Sequence, residues 1–194
     1  SSRPVKDNAI YHLANGLARL GAYDFPIALN DATKGYYEQS ARIEPDPETA
    51  AAMRAMVKDP SDAAAAAILA RDPGRNSMMR TTCVATMVEA GHAPNALPQR
   101  AKANVNCRIL PGNDPKVIRD QLEQIVADPA IKITLAADPD PVSPPPPLTP
   151  RIMAPATKVA EKIWPGVPFI PAMLTGATDG RFTNAAGVPT YGLS

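Results

Sequence analysis

From Ala101 to Leu110 the chain alternates without a break. Ala103, Val105, Cys107 and Ile109 point one way, and Lys102, Asn104, Asn106 and Arg108 point the other. A period of two held over this length admits a half-buried strand and little else, because successive side chains leave a strand on opposite faces. One face must be covered and the other left open. Upstream, Arg80–Glu89 (RTTCVATMVE) is rich in β-branched residues and reads as a second strand. The two are joined hairpin-fashion about Asn95-Ala96-Leu97-Pro98.

Helices come from the other period. Asp7 precedes a pattern with Ile10, Leu13, Leu17 and Leu20 on one face, stopped by Gly21. Pro111-Gly112-Asn113-Asp114 ends the strand and caps a helix over Pro115–Val126, with Pro115 suited to the first helical position. Ile131–Leu135 supplies a further strand. Tyr23–Met78 differs in kind: alanine-rich patterns at Asp46–Lys58 and Ser61–Arg71 read as short helices in an insertion. A strand is expected just upstream of Ser1. The order strand, helix, insertion, two strands, helix, strand predicts an α+β domain whose antiparallel four-stranded sheet is covered by helices on one face, with the Arg108 face left open.

Asp138–Pro150, with its proline run Pro144–Pro147, reads as a linker. Beyond it the rhythm becomes α/β: a helix over Thr149–Trp164, an apolar strand Val167–Ala172, a polar loop Thr175–Asp179, a helix, and a last strand Thr190–Leu193. Such a piece alone would leave sheet edges and apolar faces uncovered, so it is expected to belong to a larger domain. The predicted boundaries are 1–137, 138–149 and 150–194, with the insertion at about 23–78. The chain opens on Ser1 and reads as an excerpt, which leaves a signal peptide on the parent undecided.

A net charge of +1 selects neither nucleic acid nor an acidic membrane surface as partner. The open face of Ala101–Leu110 carries no aromatic ring on which a base could stack. No apolar run approaches the roughly 20 residues needed to span a bilayer. Two cysteines, Cys83 and Cys107, are too few for a disulfide scaffold or a structural zinc site. A symmetric hairpin register would bring them near each other, yet buried free cysteine is common, and a reduced pair is the expectation. The compartment stays open.

Asn95 in a tight Pro-bounded loop and Arg108 on the next strand can converge on one small anionic ligand. Asn95 is also an ordinary turn residue. Arg108 could simply be solvated, although its planar fork suits a carboxylate bound bidentately. Gly176-Ala177-Thr178-Asp179 is a second polar loop, opening a helix whose N-terminus would favour an anionic group. Asp179 reads as a cap or loop organiser, and Arg181 as an auxiliary carboxylate ligand. His12 lies in a helix and His92 three residues before Asn95. Neither has an Asp, Glu or His cluster at metal-ligand spacing, so both read as structural or surface histidines.

Taken in order, Ser1-Ser2-Arg3-Pro4, Asn8-Ala9-Ile10, Asn95-Ala96-Leu97-Pro98, Asn106-Cys107-Arg108-Ile109-Leu110-Pro111-Gly112 and Gly176-Ala177-Thr178-Asp179-Gly180-Arg181-Phe182 resemble one family. It is the di-zinc family of aminoacylases, carboxypeptidases and succinyl-diaminopimelate desuccinylases, peptidase family M-twenty. The long insertion and Asp138–Ser143 (DPDPVS) make the chain most similar to the Gly-X carboxypeptidase, carboxypeptidase S and N-acyl-amino-acid hydrolase branch.

The resemblance implies a lid, or dimerisation, domain over Ser1 to about Ala137 and a late part of the catalytic domain over Pro150–Ser194. It implies a homodimer formed through the lid, a peptide or N-acyl-amino-acid substrate, and two zinc ions whose ligands lie outside this chain. Asn95 would donate to the substrate carbonyl and its developing oxyanion. Arg108 would hold the substrate carboxylate, and Gly176, Ala177, Thr178, Asp179 and Arg181 would line a substrate-facing loop. The chain by itself would be inactive. The competing expectation is a non-catalytic dimerisation or binding module from a parent lacking metal ligands.

Overall fold

The computed structural model describes residues 4–136 and 141–192. The Ser1–Arg3 end of the first motif, the Asp138–Asp140 part of the linker and Leu193 of the expected last strand lie outside the described residues. The chain divides into two compact units. The first gathers residues 1–25, 82–109 and 113–142, and the second 26–81, 110–112 and 143–194.

In the first unit, α1 (Ala9–Gly21) starts where the Asn8 side chain accepts from the backbone N–H of Ile10 and Tyr11, at 3.1 and 3.2 Å. This satisfies two of the donors a helix start leaves orphaned. β1 (Thr82–Ala90) and β2 (Ala101–Arg108) pair antiparallel. α6 (Pro115–Val126) opens with Pro115 at its first position and Asp114 accepting from Lys116 N–H at 2.8 Å. α1 packs on α6 and on both strands. Leu20, Phe25, Ile118 and Leu122 form the core, against which Cys83, Val105, Cys107 and Ile109 pack. The helix-facing half of the β2 alternation therefore reaches the core, while Lys102, Asn104, Asn106 and Arg108 stay exposed. Gly16 is needed where α1 meets its neighbours. A Cβ there would lie 2.9 Å from Ile131 Cδ1 and 3.1 Å from Val126 Cγ1.

Two expectations for the sheet are corrected. Among the described residues it has two strands, not four. Ile131–Leu135 does alternate, with Ile131, Ile133 and Leu135 half-buried and Lys132 and Thr134 exposed, and Ile133 packs on the core. It forms no ladder, because β1 and β2 bond only to each other among the described residues. A burial pattern fixes faces; a strand also needs a hydrogen-bonding neighbour about 4.8 Å away. β1 also carries a bulge: Ala85 pairs with Val105 and Met87 with Asn104, leaving Thr86 over. Asn104 donates its amide to Thr86 Oγ1 at 2.7 Å. The second correction is that Cys83 and Cys107 are not reduced. They are direct ladder partners with Cα atoms 4.1 Å apart, and they form a disulfide. The prevalence of free buried cysteine says nothing about register, and register decided this pair.

The second unit holds the insertion: α2 (Asp31–Ser40), α3 (Pro47–Lys58), α4 (Ala63–Leu69) and α5 (Pro73–Met79). Each is N-capped, by Asn30, Asp46, Asp62 and Asp72. Tyr37, Met53, Met56, Leu69 and Met79 make a core of their own. The Tyr37 hydroxyl donates to the Arg75 carbonyl at 2.8 Å, and Arg75 pairs with the largely buried Glu44 at 2.7 Å. α3 and α4 match the alanine-rich patterns, whereas α2 and α5 come without prior expectation.

C-terminal to residue 143, α7 (Pro150–Ile163) and α8 (Gly180–Ala185) form where helices are expected. The strands expected at Val167–Ala172 and at 190–192 do not form among the described residues: neither segment is helical, and neither pairs with another strand. α7 buries none of its residues, and Val159, Ile163 and Trp164 stand exposed. No helix of the described residues is long and apolar enough to cross a membrane.

Candidate functional site

The turn that carries Asn95 is built by local chemistry. Ala96 N–H bonds back to the Ala93 carbonyl at 3.4 Å, with Pro94 and Asn95 as the two central residues. Proline presets the backbone angle of the first of these. Gly91, at φ +75°, lets the chain leave β1. Among the described residues Ala127 is the one non-glycine residue with positive φ, so Asn95 does not serve a left-handed backbone. Its side chain is exposed and makes no hydrogen bond among the described residues. Its flanking residues Pro94 and Ala96 line, with Ile10, His92 and Pro98, an open hollow of about 540 Å³. Ala9 N–H donates to the Pro98 carbonyl at 3.4 Å, tying the loop to the start of α1.

Arg108 is also exposed and also lacks a hydrogen-bond or ion-pair partner among the described residues. It ends β2 opposite Thr82, whereas the Asn95 loop leaves from the Ala90–Ala101 pair at the other end of the ladder. Seven residue steps at about 3.3 Å put roughly 23 Å between the two ends. Within one chain, Asn95 and Arg108 do not converge on a small ligand.

The Gly176–Asp179 loop lies in the second unit. All four residues are exposed, and Gly180 opens α8. Asp179 occupies the capping position, but its backbone is already helical (φ −61°, ψ −18°) and its side chain makes no capping bond. The capping role expected of Asp179 is therefore not filled by its carboxylate. Arg181 N–H instead donates to the Thr178 carbonyl at 3.1 Å, and the Arg181 guanidinium lies over the Phe182 ring, 4.6 Å from its centroid. On the far side, Thr190 N–H donates to the Asn184 side chain at 2.8 Å and holds the chain against α8.

Nothing in the local sequence points to the surroundings of His12. Its Nε2 meets Asp7 Oδ1 and its Nδ1 meets Asp128 Oδ2, each at 2.6 Å. These hydrogen bonds, Asp128 foremost and then Asp7, raise its pKa above the ordinary 6.5. The same bond from His12, aided by the backbone N–H of Ala130, holds Asp128 below the usual 3.8. Asp7 is near in sequence, but Asp128 is 116 residues away, and only the packing of α1 on α6 joins them. With both ring nitrogens facing carboxylates, His12 is an ion-pair partner and has no lone pair for a metal. Among the described residues no group of three or more His, Cys, Asp and Glu side chains could hold a metal ion. The residues present do not fit the zinc pair that the resemblance implies.

A family model described as the peptidase dimerisation domain matches residues 1–134. The human N-fatty-acyl-amino acid synthase/hydrolase PM20D1 is 32% identical over 147 residues, covering 74% of this chain and 29% of the relative. The PM20D1 protein of Xenopus tropicalis is 27% identical over 117 residues, 58% of this chain and 22% of that relative. A probable carboxypeptidase S-like 2 of Dictyostelium discoideum is 32% identical over 74 residues, 37% of this chain and 14% of that relative. The chain thus spans less than a third of the length of these curated relatives. No solved structure matches it. On the match over residues 1–134, the chain belongs to the peptidase dimerisation domain family of the M-twenty peptidases, on the branch of acyl-amino-acid hydrolases and carboxypeptidases.

Proposed function

We propose that this chain is the lid, over about 1–137, and a late part of the catalytic domain, over 150–194, of a zinc-dependent hydrolase. The bond cleaved is the amide of a peptide or an N-acyl-amino acid, and the lid pairs with a second copy of itself. The observation that carries this reading is the pair of exposed, unpartnered polar side chains that a dimerisation-domain hairpin presents, Asn95 on its loop and Arg108 at the end of its open face. An amide N–H suits a carbonyl oxygen gaining charge. A guanidinium fork suits a carboxylate. Relatives are named N-fatty-acyl-amino acid synthase/hydrolase and probable carboxypeptidase S-like, and an N-acyl-amino acid carries both an amide carbonyl and a carboxylate. The zinc pair, on this reading, belongs to residues outside this stretch, as does the activation of water.

The ladder length then constrains the assembly. A single substrate cannot touch both residues of one hairpin, but a two-fold pair of antiparallel hairpins sets the loop end of one against the strand end of the other. Each site then takes Asn95 from one subunit and Arg108 from its partner. The test is a mixing experiment on the full-length protein, with Asn95→Ala and Arg108→Ala each purified, combined and allowed to exchange subunits. Shared sites restore one intact site in every mixed dimer, so activity should climb to about a quarter of the native value at statistical exchange. If activity stays at the level of the two separate variants while mixed dimers are present, the shared site is wrong. If the native full-length protein hydrolyses no acyl-amino acid or peptide, the hydrolase reading falls.

A further inference from the structure

The insertion forms its own core, and nothing in the proposed chemistry uses it. One face of α2, however, is shaped around another part of the second unit. Gly35 sits in the interior of α2, where glycine costs about 1 kcal/mol relative to alanine. A Cβ at this position would lie 2.8 Å from Pro171 Cγ, with Pro171 Cδ and Cβ the next nearest atoms at 3.8 and 3.9 Å. Glycine is there because the Pro171 ring is.

A second contact follows along the same segment. Asn30 caps α2: its Oδ1 accepts from Thr33 N–H at 2.9 Å, and its own N–H donates to Thr33 Oγ1 at 2.9 Å. With the side-chain oxygen committed to the helix, the amide Nδ2 is left facing outward, and it donates to Met173 Sδ at 3.6 Å. Pro171 and Met173 are both half-buried, and Ala172 between them is exposed. This segment meets α2 through alternate residues, Pro171 and Met173. Only Leu174 and Thr175 separate Met173 from Gly176, so the end of the polar loop is tethered within about 11 Å of this seat.

We infer that α2 is a seat that positions the Gly176–Asp179 loop, with Gly35 and Asn30 as positioning residues acting through Pro171 and Met173. Loops that take part in binding are commonly drawn from the less stable parts of a fold and need such support. The seat deepens the reading of this loop as substrate-facing and, for its effect on activity, rests on it.

The test uses the full-length protein and Gly35→Ala. Were the contact idle, alanine would strengthen the helix and raise the melting temperature. With the seat in use, amide exchange across 174–181 should quicken about fivefold, while KM for an N-acyl-amino acid rises and kcat stays nearly constant. Adding Pro171→Ala removes the colliding atoms and should return exchange and KM to near native values. Unchanged exchange across 174–181 in Gly35→Ala, or no recovery in the double variant, overturns the seat. Exchange that quickens and recovers without any change in KM upholds the seat and removes the loop from substrate binding. Should Gly35→Ala fail to fold, Pro171→Gly, which deletes the contact without adding an atom, is expected to quicken exchange in the same segment. Native exchange there would overturn the proposal.

Discussion

Cys83 and Cys107 stand directly opposite one another in the β1–β2 ladder and are joined by a disulfide, 24 residues apart in sequence. The bond closes the hairpin at its strand end, so the unfolded chain is looped whether or not the sheet is formed. The entropy removed from that state corresponds to about 3.5 kcal/mol for a loop of this length. Replacing both cysteines by alanine should lower the free energy of unfolding of this unit by about 2–4 kcal/mol. Urea melts of the native protein with and without reductant should show the same loss. Identical midpoints under both conditions would mean that the bridge contributes nothing.

The His12 bridge predicts a stability that depends on pH in a definite direction. The folded-state pKa of His12 is raised above 6.5, so its contribution is full below that value and is lost as pH climbs through the folded one. Asp128 is lowered below 3.8, so its contribution is present above that value and disappears as pH falls through its folded pKa. The clamp is thus strongest between the two. Raising the pH from about 6 to about 9 should lower the urea midpoint of the native protein more than that of His12→Gln, which cannot carry the charge. Parallel curves would assign the dependence to other groups.

Ala127 ends α6 in the left-handed region, at φ 46° and ψ 44°, with its N–H donating to the Glu123 carbonyl at 3.0 Å. A side chain there costs roughly 1–2 kcal/mol, and glycine avoids it. Ala127 is exposed, so no packing is forfeited. Ala127→Gly should stabilise the protein by about 0.5–1 kcal/mol after the added entropy of the unfolded glycine is counted. A lower melting temperature would refute this.

If Arg108 holds the substrate carboxylate as proposed, Arg108→Lys in the full-length protein keeps a charge and loses the paired fork. A charge-assisted hydrogen bond is worth about 1.5–3 kcal/mol, so kcat/KM should fall roughly tenfold to a hundredfold on a free-acid substrate. The loss should shrink on the matching amidated substrate, which offers no carboxylate. Asn95→Ala should impair both alike, because its proposed target is the reacting carbonyl. Equal losses for Arg108→Lys on both substrates, with the fold intact, would leave Arg108 a structural residue.

Periodic residues made much of this legible in advance. α1, α3, α4, α6 and α7 follow from apolar spacing and acidic or proline starts, and the facing of β2 from its strict alternation. α2 was not legible because its local pattern is poor and its central glycine answers to Pro171, 136 positions later. Ile131–Leu135 shows the opposite failure, a strand pattern without a ladder partner. For the candidate site, the loop position of Asn95 and the open-face position of Arg108 could be read directly. Their separation could have been counted too, since a strand that starts at the loop must end away from it. The partnership of His12 with Asp128 could not, because no local spacing announces a contact between helices.

The surplus residue at Thr86 has a consequence for how β1 can be read. On the Cys83 side of the bulge, odd-numbered residues lie on the Val105 and Cys107 side of the ladder, as Cys83 and Ala85 do by direct pairing. Beyond it the even-numbered Val88 and Ala90 pair with Ala103 and Ala101, on that same side of the ladder, and Met87 takes the opposite side, while every residue from Val84 to Ala90 is exposed. The strand therefore obeys two reading frames, with Thr86 as the punctuation between them. Deleting that one residue would keep the composition and the backbone ladder nearly unchanged, yet would exchange the two faces of β1 over half the hairpin, the half that leads into Asn95.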